Sequence, residues 1–574
     1  MENLWMIFDE DPARHPSKKY YLESADNLKI SYSVKYVEHF KIEDDVLYYD
    51  EKIVVNLPPV ILFRFRHAIE LELYQYFEKR NKRIVNNAFC LNHCNDKFVT
   101  YEFLESYRIK QPKTVAFGES IEYKDLAEML GKTFIAKDRF GSEGKEVFLV
   151  TNSEEFREVT KEIKKENLIF QEFIEESAGK DLRVYVVGEK AVGSVIRSNK
   201  TGFRSNVAQG ASAELYEMTP AQKKYAVEVA KALNGEIVSV DFLMNGEELI
   251  FCEANSNAGL ISAQGKGIPV ADMIMKYIQE VIEIEQTGKA QDLWLIYEPG
   301  ESPEELAKHF DKYDIDYEAR PIGKFATING KLYYQDALVD NKDLPKVVLF
   351  RFREAETELE LCKYFEKNGV RVVNNYFCMY NCNDKISTYR LLKKLRIKQP
   401  KTLFFSKSVS YNEVAKKLGE QFVAKDRMGQ NGVNVFLINN AEEFNQALEA
   451  IGEEKIIYQE FIKESFGKDL RTYVVGNEVV GAVMRQGSND FRSNISQGAK
   501  PYPYELSEEE RALSFKIAKA INNEIVSVDF LFKDDELIFC EANSNAWISS
   551  FVKLGIPVAE AIVKYTVDVI KGCN

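Results

Sequence analysis

The chain has 574 residues, 45% of them hydrophobic and 29% charged, with a formal net charge of −14. At roughly 150 residues per domain, this length corresponds to about four domains, each able to bury a core. The acidic balance argues against nucleic-acid and anionic-membrane partners, and eight cysteines in such a length make no disulfide scaffold. No apolar run reaches the roughly 18 residues of a membrane span. The start MENLWMIFDEDPARHPSKK lacks a basic flank followed by an apolar stretch, so no secretory signal and a cytoplasmic location are expected.

In chain order, VVNLPPVILFRFR (54–66) reads as a strand, HAIELELYQYFEKR as an amphipathic helix and RIVNN as a second strand, the opening of an open α/β layer. FIAKDR and EVFLV read as two strands joined by the glycine loop GSEG (141–144). PAQKKYAVEVAKAL has helical spacing behind a polar N-terminal signal. IVSVDFLM and LIFCEAN read as a hairpin turning at Asn245-Gly246. A polar stretch, EQTGKAQ (285–291), then separates an apolar helix from a new strand.

Beyond it the chain repeats itself. IVNNAFCLNHCNDK (84–97) returns as VVNNYFCMYNCNDK (372–385), and QEFI, GKDLR, FRSN and FCEANSNA recur in the same order. Matched positions lie 288 apart without a slip, as in 97 and 385 or 253 and 541. Such a long period marks a duplicated two-domain unit and not a solenoid. The expected domains are 1–95 and 96–285 in the first half, and 292–383 and 384–574 in the second.

Glycines in a strand-to-strand loop let backbone N–H groups approach phosphate closely. Lys137 lies four residues before Gly141 and Gly144 closes the loop; Lys425, Gly429 and Gly432 repeat the arrangement. The GK[ST] ending of a Walker loop is absent. On the late hairpin, Glu253 and Asn255 share a face by strand alternation, with Asp241 nearly opposite. Three oxygen donors in otherwise apolar strands suit magnesium bridging phosphates. Asp529, Glu541 and Asn543 repeat them. Arg197 and Arg204-Ser205-Asn206, with Arg485 and Arg492-Ser493-Asn494, supply donors for a developing polyanion. The pairs Cys90/Cys94 and Cys378/Cys382 have no second pair of ligands beside them and read as buried thiols rather than a metal site. Arg64 and Arg66, like Arg351 and Arg353, suit either a substrate carboxylate or a domain-interface salt bridge.

With NDK, AKD and its glycine loop, QEFI, GKDLR, FRSN, VDF and EAN in order, each half resembles the ATP-grasp ligases, specifically the RimK-like carboxylate–amine ligases. The likeness covers almost all of each half. It implies a mixed α/β and α+β fold: a duplicated ATP-grasp fold in which each copy has an N-terminal open α/β (pre-ATP-grasp) domain. It also implies ATP with two magnesium or manganese ions per site, and amino acid, carboxylate or peptide substrates; a homo-oligomer is left open. By that resemblance Lys97, Lys137, Glu172, Phe173 and Asp181 hold the nucleotide, and Glu172 to Ile174 lie in the hinge that reads adenine. Arg204, Ser205 and Asn206 meet phosphate or substrate, and Asp241, Glu253 and Asn255 bind the metal. The second set is Lys385, Lys425, Glu460, Phe461, Ile462, Asp469, Arg492, Ser493, Asn494, Asp529, Glu541 and Asn543. Where the family often continues N-x-S-P-G, this chain reads NSNAGL and NSNAWI. There Trp547 and Phe551 are expected to put bulk into the second substrate pocket, where the first has Gly259.

Three readings compete: two working ligase sites on different or successive substrates, one ligase half with a regulatory nucleotide-binding half, or a nonenzymatic ATP-dependent scaffold. Complete site sets in both halves argue against the last and favour the first.

Overall fold

The computed structural model describes residues 2–572 apart from 13–14, 66, 68, 117–121, 142–143, 145, 165–166, 200–202, 204–210, 258, 299–302, 353–354, 406–407, 430–431, 488–490, 494–497, 523 and 535. The chain divides into two compact units, Met1–Gln286 and Thr287–Asn574. No helix among the described residues is long and apolar enough to cross a membrane.

The first unit opens with a parallel sheet of Tyr32–Tyr36, Leu4–Phe8, Val60–Arg64 and Arg83–Val85, in that spatial order. The expected strand over 54–66 is confined to Val60–Arg64, because Pro58 and Pro59 offer no N–H to a ladder. A small antiparallel sheet follows, of Val147–Val150, Phe134–Asp138, Leu168–Glu172 and Thr114–Ala116. The large antiparallel sheet is ordered Ser212–Leu215, Lys190–Ser198, Lys180–Val187, Ile237–Asn245 and Glu248–Asn255. Its last hairpin pairs Asn245 with Glu248, which moves the turn one residue on, to Gly246-Glu247. The second unit repeats these three sheets in the same spatial order.

Local signals explain the helices. Pro220–Ala232 starts behind Thr219, whose side chain accepts from Gln222 N–H in a capping box, with Pro at the first turn; Ser507 and Glu510 do the same for Glu508–Ala520. Val270–Gln286 buries Val270, Ile274, Met275, Ile278, Val281 and Ile282, a stripe at helical spacing. That stripe joins one core with Leu4, Met6, Val60 and Leu62 of the first sheet and Tyr185, Val195 and Ile237 of the large sheet. The small sheet has a core of its own around Leu126, Phe134, Phe156 and Phe170. The second unit divides its cores likewise, with Phe422, Phe444 and Tyr458 in the small lobe.

The hairpin between Lys180–Val187 and Lys190–Ser198, repeated between Lys468–Val475 and Glu478–Gln486, is seated on the closing helix. Gly476 has a left-handed φ of +57°, and a Cβ there would stand 2.8 Å from the Tyr565 ring, which is fixed by its hydroxyl bond to Glu524 at 2.8 Å. Gly188 repeats this against Tyr277. Gly476→Ala and Gly188→Ala are each expected to destabilise their own unit by about 1–3 kcal/mol, read by urea unfolding. Unchanged midpoints would refute this packing.

Candidate active site

A row of charges crosses four adjacent strands of the large sheet. Asp181 faces Arg197, Arg183 faces Asp241, and Asp241 faces Glu253, all in register. Arg183 Nε and Nη2 each donate to Asp241 at 2.7 Å, and Arg197 Nη2 donates to Asp241 at 2.9 Å while its Nε donates to Asp181 at 2.6 Å. Asp241 is 1% exposed. Burial alone would raise its pKa, yet Arg183 and Arg197 hold it well below the usual carboxylate range. The second half repeats the row with Asp469, Arg485, Arg471 and Asp529, and Asp529 is depressed for the same reason.

This row is one wall of a cleft; the other is the small sheet with its glycine loop. Lys97, Lys137, Gly141, Gly144, Glu172, Phe173, Ile174, Asp181, Arg197, Asp241 and Glu253 all line it, around a space of about 910 Å³ that includes its open mouth. The structure therefore brings together most of the residues singled out in the first half. Asn255 lines an adjoining smaller cavity with Lys97, Glu253 and Cys94. Lys97 heads the helix Lys97–Ser106 behind its N-cap Asp96, and its Nζ donates to the Gly141 carbonyl. Lys385 does so to Gly429, and burial lowers its pKa although Glu541 pulls the other way. Across the second cleft Lys425 Nζ reaches Cys540 Sγ at 3.9 Å, and Arg492 donates to the Gly432 carbonyl at 3.2 Å. Ser493 beside it is buried. Glu460 begins the chain out of the small sheet toward Phe461 and Ile462; burial would raise its pKa, but Lys533 at 2.6 Å and the Lys401 amide outweigh it.

Among the described residues no group of three or more His, Cys, Asp or Glu could hold a metal ion. The expected set is two carboxylates and one amide oxygen, so an ion there would complete its shell from phosphate and water. The residues fit that role. Asp241 and Glu253 are direct cross-strand neighbours, and Asn255 Nδ2 donates to Glu253 Oε1 at 3.3 Å, which sets its amide beside that carboxylate.

Some expectations fall elsewhere. Arg66, Arg353, Arg204, Ser205, Asn206 and Asn494 lie outside the described residues. Phe551 does not enter a pocket: it is fully buried against Tyr473, ring centroids 5.3 Å apart, because its helical position faces the core and not the cleft. Trp547 is 46% exposed, and a Cβ at the matching Gly259 would meet nothing within 4 Å. Arg64 and Arg351 are buried and donate to the Ser256 and Ala546 carbonyls, in the segment following each hairpin. Cys90 and Cys94 are buried thiols 3.8 Å apart.

Sequence reasoning passed over Arg183 and Arg471, the last residues of GKDLR. The signal was present: two positions after Asp181 on a strand is the same face. It also passed over Asn86 and Asn374. Asn86 accepts from the Glu236 and Ile237 amides at 2.8 Å and donates to the Ile237 carbonyl at 2.8 Å, anchoring the strand that carries Asp241. Nothing local in RIVNN points to a partner 151 residues away.

A model of the RimK-like ATP-grasp domain matches residues 94–278 and again 382–566. Human N-acetylaspartylglutamate synthase A is 28% identical over 44% of this chain and 68% of its own length. An uncharacterized protein of Mycoplasma pneumoniae is 34% identical over 34% of this chain and 72% of its own. Zebrafish β-citrylglutamate synthase B is 28% identical over 40% and 60%. Among solved structures, a RimK-domain ATP-grasp protein from Sphaerobacter thermophilus aligns with 48% of this chain and 98% of its own at 17% identity and a TM-score of 0.39.

The charge row predicts a pH signature. Because the pKa of Asp241 is lower folded than unfolded, its contribution to stability is present above the unfolded value of about 4 and is lost as pH falls toward the folded one. Arg183→Gln is expected to cost about 3 kcal/mol at neutral pH, with the deficit narrowing below about pH 4 as Asp241 takes up a proton. A deficit independent of pH in urea titrations would show that Asp241 is not the partner that matters.

Proposed function

This chain belongs to the RimK-like ATP-grasp family, and from that premise we propose that each half holds one working ligase site, the two acting on different substrates in succession. By family it is an ATP-dependent, ADP-forming carboxylate–amine ligase. The observation that carries the two-site reading is the cleft itself. Of its twenty-one lining residues, nineteen are identical 288 positions later.

In each half a substrate carboxylate oxygen attacks the γ-phosphorus, the bond to the β-phosphate oxygen breaks, and ADP leaves an acylphosphate. The free-base amine then attacks the acyl carbon, the bond from that carbon to the phosphate oxygen breaks, and inorganic phosphate departs with the proton that nitrogen loses. Both steps depend on position and charge. Lys97 and Lys137 meet the phosphates, with the loop from Gly141 to Gly144 laid over them. Glu172, Phe173 and Ile174 border the base, and Asp181 orients Arg197 along the phosphates. Arg204, Ser205 and Asn206 complete the donors, and Asp241, Glu253 and Asn255 would hold the metal. Lys385, Lys425, Gly429, Gly432, Glu460, Phe461, Ile462, Asp469, Arg485, Arg492, Ser493, Asn494, Asp529, Glu541 and Asn543 take these roles in the second half. Magnesium or manganese, when bound, neutralises phosphate charge and polarises the transferred group.

The substrates are amino acids or peptides, in keeping with relatives named for glutamate-containing products. Trp547 against Gly259, at the segment where Arg351 and Arg64 dock, supports a difference in what the halves admit.

Turnover is expected to require magnesium or manganese and to release ADP and phosphate, with hydroxylamine trapping the acid as a hydroxamate; AMP and pyrophosphate would rule out the acylphosphate route. Glu253→Gln is expected to abolish one ligation and Glu541→Gln the other, with an intermediate accumulating in only one variant by mass spectrometry. Loss of the same single reaction in both variants, or a silent variant, would replace this reading with one catalytic and one regulatory half.

A further inference from the structure

Among the described lining residues, the two nucleotide clefts differ in charge at one position: Ile135 and Glu146 become Val423 and Asn434 in the second half, and the other lining residues are unchanged. The first exchange removes one methylene and no polarity. The second removes a carboxylate.

Glu146 is exposed at the cleft mouth, just ahead of the strand Val147–Val150. Its side chain lies over the glycine loop: a Cβ built on Gly141 would stand 2.7 Å from Glu146 Oε2. At Gly429 the three nearest atoms, 2.8 to 3.4 Å away, all belong to Asp426. The backbone bond closing this corner is shared, Asp138 N–H to the Glu146 carbonyl at 3.0 Å and Asp426 N–H to the Asn434 carbonyl at 3.1 Å. The side chain carried at that corner differs in charge. The whole loop shares the difference, GSEGKE having one net negative charge and GQNGVN none. Around the rest of the first cleft the cations Lys97, Lys137, Lys180 and Arg197 are matched residue for residue in the second.

We infer that Glu146 makes the two nucleotide sites unequal. Its carboxylate repels the polyphosphate entering the first half, so that half loads ATP more weakly and depends more steeply on divalent cation. The second half, with Asn434, fills at lower ATP. The first ligation is thus the one whose rate follows the ATP supply. This rests on the nucleotide reading proposed above. A like charge a few ångströms from a solvent-exposed phosphate weakens binding by about three- to tenfold per site, and salt screens it.

Equilibrium titration of the full chain with a non-hydrolysable ATP analogue tests this. In a Lys425→Ala background, which leaves the first site, Glu146→Gln is expected to tighten binding about three- to tenfold. The gain should shrink as salt rises and be larger without magnesium than with it. In a Lys137→Ala background, Asn434→Asp should weaken the second site by a similar factor; aspartate tolerates the left-handed φ of +55° found there. Unchanged affinities, or changes indifferent to salt, overturn the inference and leave the nucleotide assignment standing. If Lys425→Ala does not halve the binding stoichiometry, the nucleotide assignment falls and the inference with it.

Discussion

Four charged side chains inside an apolar sheet must find one another, and that requirement sets the geometry of each half. Asp181, Arg197, Arg183 and Asp241 stand in one row over three strands, and Asp241 then faces Glu253 on a fourth. A one-residue slip of any strand would turn its charge into the hydrophobic layer on the other face, where an unpaired ion costs several kcal/mol. The register that pairs the ions is thus also the one that sets Glu253 and Asn255 at the cleft. Asn86 adds a second anchor from the neighbouring sheet, binding both amides at the start of the Asp241 strand.

The two walls of each cleft belong to different cores. The wall with the charge row is continuous with the first sheet through the helix Val270–Gln286. The wall with Lys137 and the glycine loop has its own core, shared with the helices Tyr123–Leu130 and Ser153–Glu162. The chain passes between them before Thr114 and again from Glu172 to Lys180, and side chains such as Lys425 on Cys540 and Arg492 on Gly432 span the second cleft. A site built between separately packed walls can hold a large polyanion without disturbing either core.

Duplication preserved the phosphate machinery and let its borders diverge. Among the described residues the cleft linings agree except for one methylene and one carboxylate, whereas Gly259 and Trp547 differ in bulk by a whole indole.

By itself the sequence determined the duplication, its 288-residue register, the strand–loop–strand around Lys137 and the hairpin carrying Asp241 and Glu253. Alternation, turn glycines and capping residues are local rules, and a repeated motif doubles their signal. The polar start of the helix Pro220–Ala232 was legible for that reason. Only the tertiary structure decided which residues meet over long separations. Arg183 appeared as one letter of a motif until a strand 58 residues away placed Asp241 against it. Phe551 appeared to be pocket bulk until its helix turned it against Tyr473, and Glu146 was the first letter of the strand EVFLV until the turn laid it over Gly141. Pairings of this kind depend on how strands and helices are brought together, and local sequence patterns carry no record of that.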